Sequence, residues 1–207
     1  MEWLSARWGW CRDHGQTVTW FALRGGDPLS LLTGEEFSRL FRTFEHTAFR
    51  LETRDSYYSP NETSALAQFV SGEPVDMGWF QNWLSMIRSA TAEGRRFSRV
   101  RVVSIPLTDY SRFGVFCSEY TNAAGEETRY LTRDRAGDLP GYDYWLFDSR
   151  LLIKMHFGEE DHFLGGEVIE DPAAIVQHGY WRDAAWHRAA RRDDFASKQD
   201  QQRPQRS

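Results

Sequence analysis

Two stretches of the chain concentrate side chains that could do chemistry. The first reads Met155-His156-Phe157-Gly158-Glu159-Glu160-Asp161-His162, two imidazoles and three carboxylates around a hairpin turn. These are the ligand types that zinc or iron takes. Strand parity decides whether they can act together. If Phe157 pairs with His162, His156 faces the other side of the sheet; a shorter loop pairing Phe157 with Asp161 brings both histidines to one face. The same composition also describes a solvated turn.

The second stretch is basic: Arg95, Arg96, Arg99 and Arg101. Arg99 and Arg101 share one face of a strand by their spacing, and Arg129 and Arg133 share one face of the next candidate strand. Neighbouring strands would gather four guanidiniums able to hold a phosphate or carboxylate bidentately. Trp145 and Asp148 close the list of ligand-binding candidates, Trp145 as a stacking platform. The plain alternative is a solvated face paired with surface carboxylates, which is common. No Gly-x-Ser-x-Gly elbow, phosphate-cradling Gly-x-x-x-x-Gly-Lys or Gly-x-Gly-x-x-Gly fingerprint occurs.

The elements that must carry these residues are signposted. Thr33 with Glu36 forms a capping box ahead of Phe37, Leu40, Phe41 and Phe44 at helical spacing. Ser59-Pro60 with Glu62 opens a second helix that Gly72 stops, and Trp79, Trp83, Ile87 and Ala90 mark a third, closed by Gly94. Tyr110, Phe113, Cys117 and Tyr120 form a fourth stripe, and Asp171-Pro172 starts a fifth helix. Strands are expected over Ala48–Thr53, Arg99–Ile105, Thr128–Arg133, Tyr144–Asp148, Leu151–Phe157 and His162–Ile169. The expected fold is α+β, a mostly antiparallel sheet with about five helices packed chiefly on one face.

Residues 1–30, rich in Trp and Gly, read as an N-terminal arm whose Trp3, Trp8, Trp10 and Trp20 fall on no helical stripe. Residues 31–190 read as a single domain, and 191–207 as a disordered polar tail. The chain has 207 residues, enough for a substantial core. Aromatic residues make up 15%, with nine Trp and fourteen Phe, so rings dominate that core. A net charge of −5 argues against a general nucleic-acid binder. Cys11 and Cys117 match no metal or redox spacing, and two scattered thiols fit the cytoplasm. No apolar run is long enough for a membrane span, and no cofactor is expected.

Four segments together carry a resemblance: Phe49-Arg50-Leu51-Glu52 leading to Tyr57-Tyr58, Arg99-Val100-Arg101-Val102-Val103, Asn122-Ala123-Ala124-Gly125-Glu126, and Asp143-Tyr144-Trp145-Leu146-Phe147-Asp148. Over roughly residues 33–190 the chain resembles an uncharacterised domain family abundant in actinobacteria, often encoded beside helix-turn-helix regulators. The resemblance implies a cytoplasmic, regulatory role and supplies no catalytic residues. The leading expectation is therefore a non-enzymatic module that senses a small molecule or contacts a helix-turn-helix regulator. Its alternatives are a small enzyme: a nuclease or toxin-like protein using the arginines, a metal-assisted hydrolase using His156, His162 and Asp148, or a natural-product tailoring enzyme with an aromatic pocket.

Overall fold

A computed structural model describes residues 31–201. The N-terminal arm with its four Trp and Cys11, and the tail beyond residue 201, lie outside the described residues. The described elements are α1 (Gly34–Thr43), β1 (Thr47–Glu52), α2 (Thr63–Ser71), α3 (Gln81–Ala92), β2 (Arg96–Val103), α4 (Asp109–Ala124), β3 (Glu126–Thr132), β4 (Tyr144–Phe147), β5 (Leu151–Phe157), β6 (Phe163–Ile169), α5 (Pro172–Arg188), β7 (Ala190–Arg191) and α6 (Arg192–Gln201).

The strands form one seven-stranded sheet in the order β6-β5-β4-β1-β2-β3-β7. β1, β2 and β3 run parallel, whereas β4, β5, β6 and β7 join antiparallel. The sheet is thus mixed rather than mostly antiparallel. Its parallel centre follows from the helices α2 and α3 between β1 and β2, and α4 between β2 and β3. Each returns the chain to the same end of the sheet before the next strand begins.

Alternation along the strands sorts the core into two layers. Ala48, Phe97, Trp145, Phe147 and Ile153 point to one face, where Phe41 and Phe44 of α1 and Leu84, Ile87 and Ala90 of α3 cover them. Phe49, Leu51, Val100, Val102, Leu131 and Leu146 point to the other, against Ala185 and Ala189 of α5 and its C-cap. α5 therefore departs from the single helical layer that the sequence suggests. It connects β6 at one edge to β7 at the opposite edge. Seventeen helical residues span about 25 Å, close to the width of the sheet they must cross.

Gly72 and Gly94 adopt positive φ at the ends of α2 and α3, as stop residues should. The Thr33 side chain makes no capping bond, and α2 starts at Thr63 rather than within the Ser59-Pro60 turn. The β4–β5 hairpin turns on Asp148 and Ser149, both at positive φ (54° and 51°), which suits the right-handed twist of the pair. Residues 192–201, assigned by composition to the tail, form helix α6 instead, because Phe195 is buried and stacks on Tyr130 at 4.8 Å between ring centroids.

Candidate functional site

On the face covered by α1 to α4 the apolar side chains give way, over the C-terminal halves of the parallel strands, to charge. Arg50 and Glu52 alternate with Phe49 and Leu51 along β1, so both turn under the helices. Arg99 and Arg101 do the same on β2, directly opposite Arg50 and Glu52 in the parallel register. β3 adds Glu126 and Thr128, and Asp143 arrives just before β4.

Glu52 is the hub. Its carboxylate takes Arg99 Nη1 at 2.5 Å and Arg101 Nε, and lies 3.1 Å from Arg50 Nε. Arg99 Nε donates to Glu126 at 2.9 Å. Asp143 accepts from Arg50 Nη2 (3.3 Å), the Thr53 N–H (2.8 Å), the Thr53 hydroxyl (2.9 Å) and the Tyr57 hydroxyl (2.6 Å). The Arg50 guanidinium sits 5.5 Å from the ring centroids of both Tyr57 and Trp145, and Arg99 lies 5.7 Å from Trp145. Cation–π attraction is strong where water is largely excluded.

Burial opposes ionisation of Glu52, but Arg101, Arg50 and Arg99 outweigh it and hold the carboxyl well below its usual range. Burial likewise opposes charge on Arg50, and Glu52 and Asp143 more than compensate. Burial pushes Tyr57 and Tyr110 up, assisted by the carboxylates beside them, and drives the Cys117 thiol up to about 12. Glu62 is pushed upward by burial although Tyr110 donates to it at 2.7 Å.

These groups lie on the two central strands beneath a helical layer, yet Arg50, Arg99 and Arg101 keep 15%, 13% and 15% of their side-chain surface open. The three guanidiniums form a partly open cluster between sheet and helices. Arg101 also bonds the Tyr130 hydroxyl, and its Nη1 lies against Gly114 of α4. The network is also incompletely satisfied: Trp145 Nε1, Thr128 Oγ1 and Glu126 Oε2 are fully buried without a hydrogen bond. Unpaired buried polar atoms of this kind cost about 1–3 kcal/mol each, and their clustering marks the region as functional ground rather than plain core.

A depression of about 770 Å³ lies at the opposite, N-terminal ends of β1, β2 and β3, lined by Arg95, Arg96, Arg182 and Trp186 among others. Two of its arginines are committed. Arg95 bonds the carbonyls of Arg42 and Phe44 and the Glu93 carboxylate, and Arg182 bonds Asp183 and Ser149. The C-terminal ends of α3 and α4, including Gly94 and Gly125, face this depression, which disfavours an anion there. The arginine cluster on the C-terminal halves of β1 and β2 is the better candidate, on the side where open sheets with parallel strands usually bind ligands.

Of the residues expected from sequence, Arg99, Arg101 and Trp145 meet in this cluster. Arg129 does not. It lies on the other sheet face, its guanidinium 3.9 Å from the Trp186 ring centroid and bonded to Glu127 and the Trp186 carbonyl. Arg133 falls one residue beyond β3, in a short turn, so it shares no strand face with Arg129. Its guanidinium bonds the Thr53 carbonyl, Asp55 and Ser104, tying together the ends of the parallel strands. Asp148 sits at the far end of β1, where its carboxylate accepts the N–H groups of Glu45, His46 and Thr47. Despite burial, those bonds hold it below its usual range.

The two histidines take separate partners. His156 lies opposite Gly165 and bonds Glu167 at 2.8 Å, while His162 stacks on Tyr58 at 4.0 Å. A register shift between His156 and Phe157 breaks the pairing on which a shared face would depend. Among the described residues no group of three or more His, Cys, Asp or Glu is placed to hold a metal ion.

Arg50, Glu52, Tyr57, Glu62, Glu126 and Asp143 were not singled out as site residues. The available signal was the strict alternation Phe49-Arg50-Leu51-Glu52, where charges recur every second residue inside an otherwise apolar strand.

Fold and site together define an α+β domain with a mixed sheet and a charged, ring-flanked cluster under its helical layer. The sequence matches Domain of unknown function (DUF6879) over residues 35–197, and the chain belongs to that family. No curated protein matches it. Among the described residues no helix is long and apolar enough to cross a membrane.

Proposed function

We propose that this domain is a non-enzymatic sensing module that binds a small molecule at the partly exposed arginine cluster and signals its occupancy to a protein partner. The observation that carries this reading is the partial exposure of Arg50, Arg99 and Arg101 on central strands that the helices otherwise cover. Recognition is favoured over catalysis by the state of the titratable groups. A general acid or base works best with a pKa near the operating pH, whereas Glu52, Tyr57, Tyr110 and Cys117 are all driven away from neutrality. The enzyme alternative would rest on Glu62, a carboxyl beside this cluster that burial raises.

The partner half of the reading rests on the resemblance to an actinobacterial family often encoded beside helix-turn-helix regulators. A cytoplasmic helix-turn-helix transcription regulator is the proposed partner, with direct nucleic-acid binding disfavoured by the acidic chain.

The test is a thermal-shift measurement on the full chain with a small-molecule filtrate of a cell extract. The filtrate is expected to raise Tm for the parent protein and to have much less effect on Arg99→Lys, which keeps the charge and loses the fork. A filtrate that shifts neither protein, or both equally, removes the sensing reading. Chemical conversion of the bound component would select the enzyme alternative.

A further inference from the structure

We propose that the apolar seam between α2 and α4 docks a basic amphipathic helix of a protein partner, whose apolar face covers Phe69, Phe116 and Tyr120 and whose cations meet Glu73 and Asp76. The proposal names the surface for the protein partner of the sensing function and rests on that part of it, while requiring nothing of the arginine cluster.

The seam is a core left half covered. Phe69 of α2 lies 5.5 Å from the Phe113 ring and 5.4 Å from the Phe116 ring, and Phe116 lies 5.4 Å from Tyr120. The rings therefore run continuously from one helix to the other. In this cluster Ala65, Phe113 and Cys117 are buried, whereas Leu66, Phe69, Val75, Met77 and Phe116 remain partly exposed. At its margin Val70 and Tyr120 are 54% and 37% exposed. Single apolar side chains on a surface are ordinary, but a contiguous group rimmed by polar residues marks a contact site. Aromatic rings and methionine are also what interfaces favour.

Spacing selects a helix. Leu66, Phe69 and Val70 recur at three and four residues along α2, and Phe116 and Tyr120 at four along α4. Ridges of this kind receive the i, i+3, i+4 anchors of a third helix.

Charge selects a basic one. From Asp55 to Ile87 the chain carries Asp55, Glu62, Glu73 and Asp76 but no Lys, Arg or His, and α2 itself has no charged residue. Glu73 and Asp76 follow the C-terminal end of α2, where the helix dipole is already negative. Asp76 accepts the Gly78 N–H at 2.8 Å, and neither carboxylate makes an ion pair among the described residues. Arg112, at the head of the α4 stripe, pairs with Asp109, and Arg192 pairs with Glu119. Cations on the docked helix would offset both carboxylates and the dipole; an acidic helix would be repelled. α4 also carries Gly114 against Arg101, so one helix touches both the charged cluster and the seam.

The probe is a synthetic Leu/Lys peptide about 18 residues long, five helical turns, with its leucines on one face. It is titrated calorimetrically into the full chain beside a Leu/Glu peptide of the same pattern and a scrambled Leu/Lys peptide. Saturable one-to-one binding of the amphipathic Leu/Lys peptide is expected, at least tenfold tighter than either control. Val70→Asp, at an exposed position, should weaken it at least tenfold, as should Glu73→Lys with Asp76→Lys. Glu45→Lys with Glu160→Lys makes the same change in net charge at exposed sites elsewhere and should leave binding intact. Circular dichroism checks the folding of each variant. Absence of saturable binding overturns the proposal, as do equal binding of a control peptide, binding that Val70→Asp retains, or an equal loss on the remote charge reversal. Sedimentation equilibrium of the parent tests the other occupant: a dimer that Val70→Asp dissociates assigns the seam to a second copy and overturns the proposal too. No small molecule enters these measurements, so their failure leaves ligand binding through Arg99 standing, and failure of the filtrate experiment alone leaves the seam standing.

Discussion

Gly114 of α4 and Arg101 of β2 touch so closely that a Cβ on Gly114 would lie 1.8 Å from Arg101 Nη1. The missing side chain is what lets a guanidinium fit between a buried strand and the helix above it. Glycine in a helix interior costs about 0.5–1 kcal/mol relative to alanine, so this position gives up helix stability to make room for a charge.

Gly114→Ala therefore has two opposed effects, and the background decides the sign. With Arg101 present, the methyl group forces the guanidinium off Glu52, and the overpacking should cost about 1–3 kcal/mol net of the propensity gain. In an Arg101→Met background the same change should be neutral or stabilising by up to about 1 kcal/mol. A double-mutant cycle by urea denaturation measures the coupling. Equal effects in both backgrounds would show that the contact does not constrain Arg101.

Glu52 should set the acid limit of stability in this region. Its folded pKa is held below the ordinary carboxylate value by Arg101, Arg50 and Arg99 despite burial. The stabilisation is therefore fully present above the unfolded pKa and is lost as pH falls through the window below it. Glu52→Gln leaves three buried guanidiniums without their hub and should cost on the order of 3–5 kcal/mol at pH 7. The loss should shrink on acidification, because the parent carboxylate is then protonated too. Denaturation midpoints of both proteins from pH 7 to pH 3 check the convergence.

Glu62 has the opposite sign. Burial raises its folded pKa, so folding favours the protonated form. The associated stability is full below the unfolded pKa and is lost as pH rises through the folded value. Glu62→Gln keeps an acceptor for Tyr110 and removes the buried charge, so without ligand the variant should be more stable than the parent at pH 7 and equal to it near pH 4. Thermal melts at the two pH values separate this from a simple loss of a hydrogen bond, which would destabilise at both.

The elements carrying this site were legible because each has a local cause. Gly72 and Gly94 stop their helices through a conformation that glycine adopts freely, and Asp171 caps α5 by accepting from Ala173 and Ala174. Strand partners were less legible, because pairing joins residues far apart in sequence. Arg129 lies in register with Val100, not with Arg99 or Arg101, and that single residue of offset turns it to the opposite face. Arg133 has the wrong neighbours for a related reason, since β3 ends before it. The charged cluster itself is half visible in the sequence. Arg99, Arg101 and Trp145 carry a basic or aromatic signature, but Glu52 and Asp143 look like any surface carboxylate until the sheet places them beneath helices.

The last helix offers the most direct test of how tertiary contacts override composition. α6 contains Arg192, Asp193, Asp194, Lys198 and Gln199, and on these residues alone it should not be ordered. One ring changes that. Phe195 is 5% exposed and stacks on Tyr130, and the hydroxyl of Tyr130 lies 2.9 Å from Ser118 Oγ on α4. Arg192 adds bonds to the Val115 carbonyl and Glu119 on the same helix. Phe195→Ala should therefore cost about 3–5 kcal/mol, most of it through detachment of α6 from α4 and β3. Hydrogen exchange is expected to show lost protection over residues 192–201, while the amides of β1 and β2 stay protected. Asp193, Arg192's other partner, is solvent-exposed, so Asp193→Ala is expected to change stability by less than about 1 kcal/mol. If Phe195→Ala left the protection of α6 unchanged, the helix would owe its order to its polar contacts instead.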